Sequence, residues 1–107
     1  MEGYIYLIGE MDNEGKYKIG ISRHENVEKR KNHLQTGNPD ELYVRYKFKT
    51  NSPFKLEKML HNHYYKDGII NEWFFLNEEQ SKDFLNICKK YQDIIDSLDS
   101  NPFFKKG

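Results

Sequence analysis

Glu57 and His61 lie four residues apart. On a helix that spacing puts two side chains on one face, with Cβ atoms about 5–6 Å apart. A carboxylate and an imidazole so placed serve either as part of a metal site or as a plain surface pair. Zinc fits the rest of the chain poorly. Of the four histidines only His61 and His63 are close, and residues two apart on a helix point to different faces. Cys88 is the single cysteine, so neither a multi-cysteine zinc site nor an internal disulfide can form. The cationic candidates are Lys18, Arg23 and Arg30. By position alone, Lys18 between Tyr17 and Ile19 suits an exposed strand site. Arg30, within Lys29-Arg30-Lys31, suits a solvated helix face. Tyr6, between Ile5 and Leu7, suits an ordinary strand residue.

The formal net charge is zero, but its distribution is uneven. Residues 16–66 hold twelve Lys and Arg against five Asp and Glu, a balance of about +7. The remainder holds five against twelve, about −7. Such a split gives a neutral protein one basic face, the electrostatic footprint of a nucleic-acid partner. No apolar run approaches the roughly 20 residues of a membrane helix. No charged start leads into an apolar stretch with a small-residue cleavage site. Together with the lone cysteine, this makes a reducing, intracellular setting the simplest expectation.

These side chains need a scaffold. The 107 residues suit one domain, expected over 1–100 with a mobile tail at 101–107. Hydrophobic residues make up 36%, but 15% are aromatic, so rings must fill much of a modest core. Residues 3–9 read as a strand, Asp12 to Gly15 as a turn, and Tyr17 to Ile21 as a returning strand. Asn26 or a neighbour starts a helix running to about Gln35, which Thr36-Gly37-Asn38-Pro39 ends. From Leu42 to Lys49, Leu42, Val44, Tyr46 and Phe48 alternate against Tyr43, Arg45, Lys47 and Lys49, the period of a half-buried strand. Ser52 and Pro53 open a second helix carrying Leu56, Met59, Leu60 and Tyr64. Residues 69–76 read as a short extended segment. Asn77 and Gln80 form a capping box for a last amphipathic helix. The expected fold is α+β, a small three-stranded antiparallel sheet flanked by helices.

The ordered motifs resemble the GIY-YIG nuclease superfamily. Tyr4-Ile5-Tyr6 is similar to its first motif, with Tyr4 in place of glycine. Lys18-Ile19-Gly20 is similar to its second, with Lys18 in place of tyrosine. Val27-Glu28-Lys29-Arg30, the run Leu34 to Pro39, Glu57 with Leu60-His61, and Glu72-Trp73-Phe74 resemble the branch found in phages and large DNA viruses. The resemblance spans residues 3–76.

It implies an endonuclease that hydrolyses DNA phosphodiester bonds with one divalent ion, Mg2+ or Mn2+. Such a reaction must deprotonate water and stabilise charge on the phosphate and the leaving oxygen. By resemblance Glu57 is the metal ligand, Arg30 neutralises the attacked phosphate, and Tyr6 activates or orients the water. Lys18 supplies a cationic field or a phosphate contact. Arg23 is a rival for the role of Arg30. His61 and Asn71 are candidate supporting residues. The alternatives are a non-catalytic DNA-binding module on the same fold, and a protein-interaction domain using Trp73, Phe74 and Phe75. A lone module of this size implies modest affinity unless it dimerises or a partner protein delivers it.

Overall fold

β1 (Gly3–Glu10) and β2 (Asn13–Ser22) form an antiparallel hairpin closed at Met11 and Asp12. The computed structural model describes residues 2–23, 27–38, 40–70 and 73–100, with no side chains at 67–70. The expected helix start at Asn26, Pro39, Asn71, Glu72 and the tail from 101 lie outside the described residues. The hairpin turn is tighter than the run Asp12 to Gly15 suggests. Gly15 does take a positive φ of 87°, but inside β2. There the pairing slips between Gly9 and Glu10, and the left-handed residue absorbs the slip.

α1 (Val27–Gln35) follows, then β3 (Leu42–Thr50), which pairs antiparallel with β1 on its other side. Gln35 holds the intervening loop. Its Nε2 donates to Asp40 O at 2.7 Å, and its Oε1 accepts from Leu42 N at 2.7 Å. A short amide thus satisfies backbone groups that neither the helix nor the strand can reach.

α2 (Pro53–His63) begins as expected, with Ser52 at the N-cap and Pro53 in the first turn. The Ser52 side chain makes no cap bond; its hydroxyl donates to Asn51 Oδ1 instead. After a 3-10 turn at Tyr65–Asp67, β4 (Gly68–Ile70) and β5 (Trp73–Phe75) add two short strands. The sheet therefore has five strands in the order β3-β1-β2-β5-β4. The three long strands are the ones the hydrophobic pattern predicts. The extended segment after α2 supplies the other two.

The expected last helix is two helices, α3 (Glu78–Lys82) and α4 (Phe84–Ser100), broken at Asp83. The Asn77–Gln80 capping box forms in both directions, at 2.9 and 2.8 Å. Asn77→Ala is expected to lower stability by about 1 kcal/mol, read by thermal unfolding.

The sheet buries both faces. One face packs Ile5, Leu7, Tyr17, Ile19 and Phe74 against Leu56 and Leu60 of α2 and Phe84, Cys88 and Ile95 of α4. The other packs Tyr6, Ile8 and Leu42 against Val27 of α1.

β3 departs from the simple alternation. Its register against β1 shifts between Leu7 and Ile8, which leaves one extra residue on β3. Leu42 and Val44 consequently join the α1 face, whereas Tyr46 and Phe48 join the α2–α4 face with Tyr43. A one-residue slip flips every later side chain.

Burial pushes the Cys88 thiol up to about 12 from its ordinary 9.0. The folded state therefore favours the protonated thiol. That contribution is complete below pH 9 and is lost as pH rises from 9 towards 12. At pH 8 a three-unit shift leaves roughly 10³ less thiolate than in the unfolded chain. Native protein is thus expected to react slowly with a disulfide reagent such as Ellman's, and denatured protein quickly.

Candidate functional site

The outer edge of β2, from Gly20 to Arg23, is where the candidate residues gather. β5 pairs with β2 only over Lys16 to Lys18. Among the described residues the pairing of β2 with β5 ends at Lys18.

Tyr6 arrives from the sheet. It stands opposite Gly20 across the β1–β2 ladder. Its ring lies flat over that residue: a Cβ on Gly20 would sit 2.5 Å from Tyr6 Cζ and closer still to the hydroxyl. Glycine is required here because the tyrosine occupies the space. Tyr6 is fully buried, so the structure holds this side chain more tightly than a strand position alone implies.

His61 arrives from the opposite face. Its Nε2 donates to the Ile19 carbonyl at 2.9 Å, and its ring packs on Phe74 at 5.3 Å. A carbonyl partner requires the proton on Nε2. His61 is thus an anchor between α2 and β2.

That anchor also places Glu57. The start of α2 is held near Ser22, because a Cβ on Gly3 would meet both the Ser22 carbonyl and Pro53. His61 is held at Ile19. Glu57 lies four residues from each end, on the same helix face as His61. It is half-buried.

The basic residues close the arrangement. Arg23, Lys29, Arg30 and His33 line a cleft of about 340 Å³ together with Ile21 and Ser22. The four basic side chains are exposed, and among the described residues no acidic one lines the cleft. Arg23 and Arg30 both belong to it, so the two rivals share one place. Lys29 and His33 were not among the candidates from sequence. Their signal was present: 29, 30 and 33 share one face of α1 by helical spacing. Lys18 stands two residues before Gly20 on the Tyr6 face, with its Nζ 5.6 Å from the Trp73 ring centroid.

Trp73 is half-buried and Phe75 exposed, while Phe74 lies in the core. The three aromatics therefore do not share one surface. Among the described residues no three His, Cys, Asp or Glu side chains converge on a metal site. Mg2+ keeps most of its water and is commonly held through one or two carboxylates, so such an ion does not require a three-residue cluster. No described helix is long and apolar enough to cross a membrane.

A five-stranded antiparallel sheet between helices, with a basic cleft beside the end of β2, is compatible with a small nuclease-like α+β domain. The T5orf172 domain model matches residues 3–89, more than three quarters of the chain. The chain belongs to the T5orf172 family, a phage-associated domain linked to nuclease folds. No curated protein and no solved structure gives a match.

Proposed function

We propose that this protein is a metal-dependent DNA endonuclease of GIY-YIG type, with its reaction centre at the C-terminal end of β2. The observation that carries the reading is what gathers at Ile19–Arg23: Tyr6 packs on Gly20, His61 of the helix that carries Glu57 bonds Ile19, and the Arg23–Arg30 cleft includes Ile21 and Ser22.

In this reading Arg30 grips the scissile phosphate through its planar fork and offsets the charge that grows in the transition state. Arg23, Lys29 and His33 hold the neighbouring phosphates. Lys18 adds positive field from the Tyr6 side. Tyr6 keeps its proposed role of orienting the attacking water on resemblance alone, since its side chain is fully buried against Gly20. Glu57 would hold the divalent ion, Mg2+ or Mn2+, which lowers the pKa of bound water and shields phosphate charge. His61 fixes the helix that presents Glu57 and is a positioning residue. Asn71 keeps its proposed supporting role on resemblance alone.

The test is conversion of supercoiled plasmid to nicked circles by purified protein in magnesium, with EDTA as control. Magnesium-dependent nicking supports the reading. One observation favours a second reading, a DNA-binding module without catalysis: Lys18 stands where the superfamily motif has tyrosine. That reading expects binding without nicking, with each lost phosphate contact reducing the salt slope by about 0.9.

A further inference from the structure

We infer that the β5 side of the sheet is a stacking platform for unpaired DNA bases, so that the substrate carries a single-stranded stretch such as a flap, gap or bubble. The inference deepens the DNA reading above and rests on it.

Trp73 and Phe75 are two residues apart on β5 and therefore share a face. Phe75 is 51% exposed, unusually open for a large aromatic in a strand. Side chains two apart on a strand are separated by about 6.5–7 Å, too far for one ring to cover the other. Each ring can take its own base. The neighbouring strand interleaves lysines with them: Lys18 stands opposite Trp73, and Lys16 opposite Phe75. Trp73 also packs into the cluster containing Tyr6. The platform is thus continuous with the face on which the reaction centre opens.

Charge decides which part of DNA this surface reads. The Lys16 Nζ lies 2.7 Å from the buried Glu10 carboxylate, so much of its charge is already matched. Both lysine Nζ atoms sit over the Trp73 ring, at 5.0 and 5.6 Å from its centroid. The Lys18 contact with the ring is weak enough for an arriving base to displace, while Lys16 stays with Glu10. The surface is therefore aromatic first and basic second. Bases within a duplex are stacked on one another and cannot cover these rings, whereas unpaired bases can.

Trp73 is the only tryptophan in the chain, so intrinsic fluorescence reports on the platform directly. The full-length protein is titrated in EDTA with oligo-dT, with an abasic strand of equal length, and with a blunt duplex. Oligo-dT is expected to quench Trp73 and to bind more tightly than the abasic strand by about 5- to 150-fold for each stacked base. Phe75→Ala, at an exposed site, is expected to lose a similar factor for oligo-dT and to bind the abasic strand unchanged. Trp73→Phe should keep most of the affinity. Equal affinity for oligo-dT and the abasic strand, with unchanged emission, overturns the platform. So does a Phe75→Ala protein that binds both as wild type does, or that differs only in self-association. Quenching without plasmid nicking would leave the platform standing and remove the nuclease. Nicking without base-dependent binding would do the reverse.

Discussion

Glu57→Gln is expected to lower magnesium-dependent nicking by about 10²- to 10³-fold or more, the usual effect of removing a group that stabilises transition-state charge. The substitution keeps the shape of the side chain and removes its charge. Glu57 is half-buried on a helix whose core contacts come from Leu56 and Leu60. Its thermal unfolding should therefore stay near that of wild type, which separates a catalytic loss from a folding loss. DNA binding in EDTA should be retained, because the basic cleft at Arg23 and Arg30 is untouched. Arg30→Lys offers the complementary measurement: it keeps the charge but loses the two-pronged geometry, so nicking should fall even where binding persists. Nicking at wild-type rate by Glu57→Gln would remove Glu57 from the mechanism.

The second large effect is expected at Gly20. An alanine methyl there would overlap the Tyr6 ring, with 2.5 Å to Cζ. Tyr6 is 0% exposed and packs among Ile8, Val27 and Leu42, so its ring has little room to retreat. Overpacking of this kind costs about 1–3 kcal/mol, a fall in Tm of roughly 5–20 °C. Activity should fall further than stability explains, because the displaced side chain is the one proposed to orient the attacking water. Tyr6→Leu in the same chain should relieve the overlap. The double variant is then expected to be less destabilised than the two singles together, by about 0.5–3 kcal/mol. Strict additivity would show that the ring and the glycine do not compete for space.

The glycine also explains why the Lys18-Ile19-Gly20 motif has the form it does. Ile19 fills the α2–α4 core, Lys18 faces the other side, and Gly20 yields its space to Tyr6. Two motifs separated by a hairpin are in this respect one packing unit.

Much of the local structure was legible in the residues. The strand and helix periods, Pro53 at the start of α2 and the Asn77–Gln80 capping box depend on neighbours a few residues away, and such signals survive in one dimension. The set Tyr6, Lys18, Arg30, Glu57 could be named in order. What the residues could not tell was that Tyr6 fills the space over Gly20, and that Arg30 shares a cleft with Ile21, Ser22 and Arg23. Nor could alternation in β3 show where its faces exchange. The bulge belongs to the pairing of β3 with β1, about forty residues earlier, and not to β3 itself. The chain by itself determined which elements form and which side chains can do chemistry. Tertiary structure alone decided which face each side chain occupies, because register and burial are set between strands and not along them.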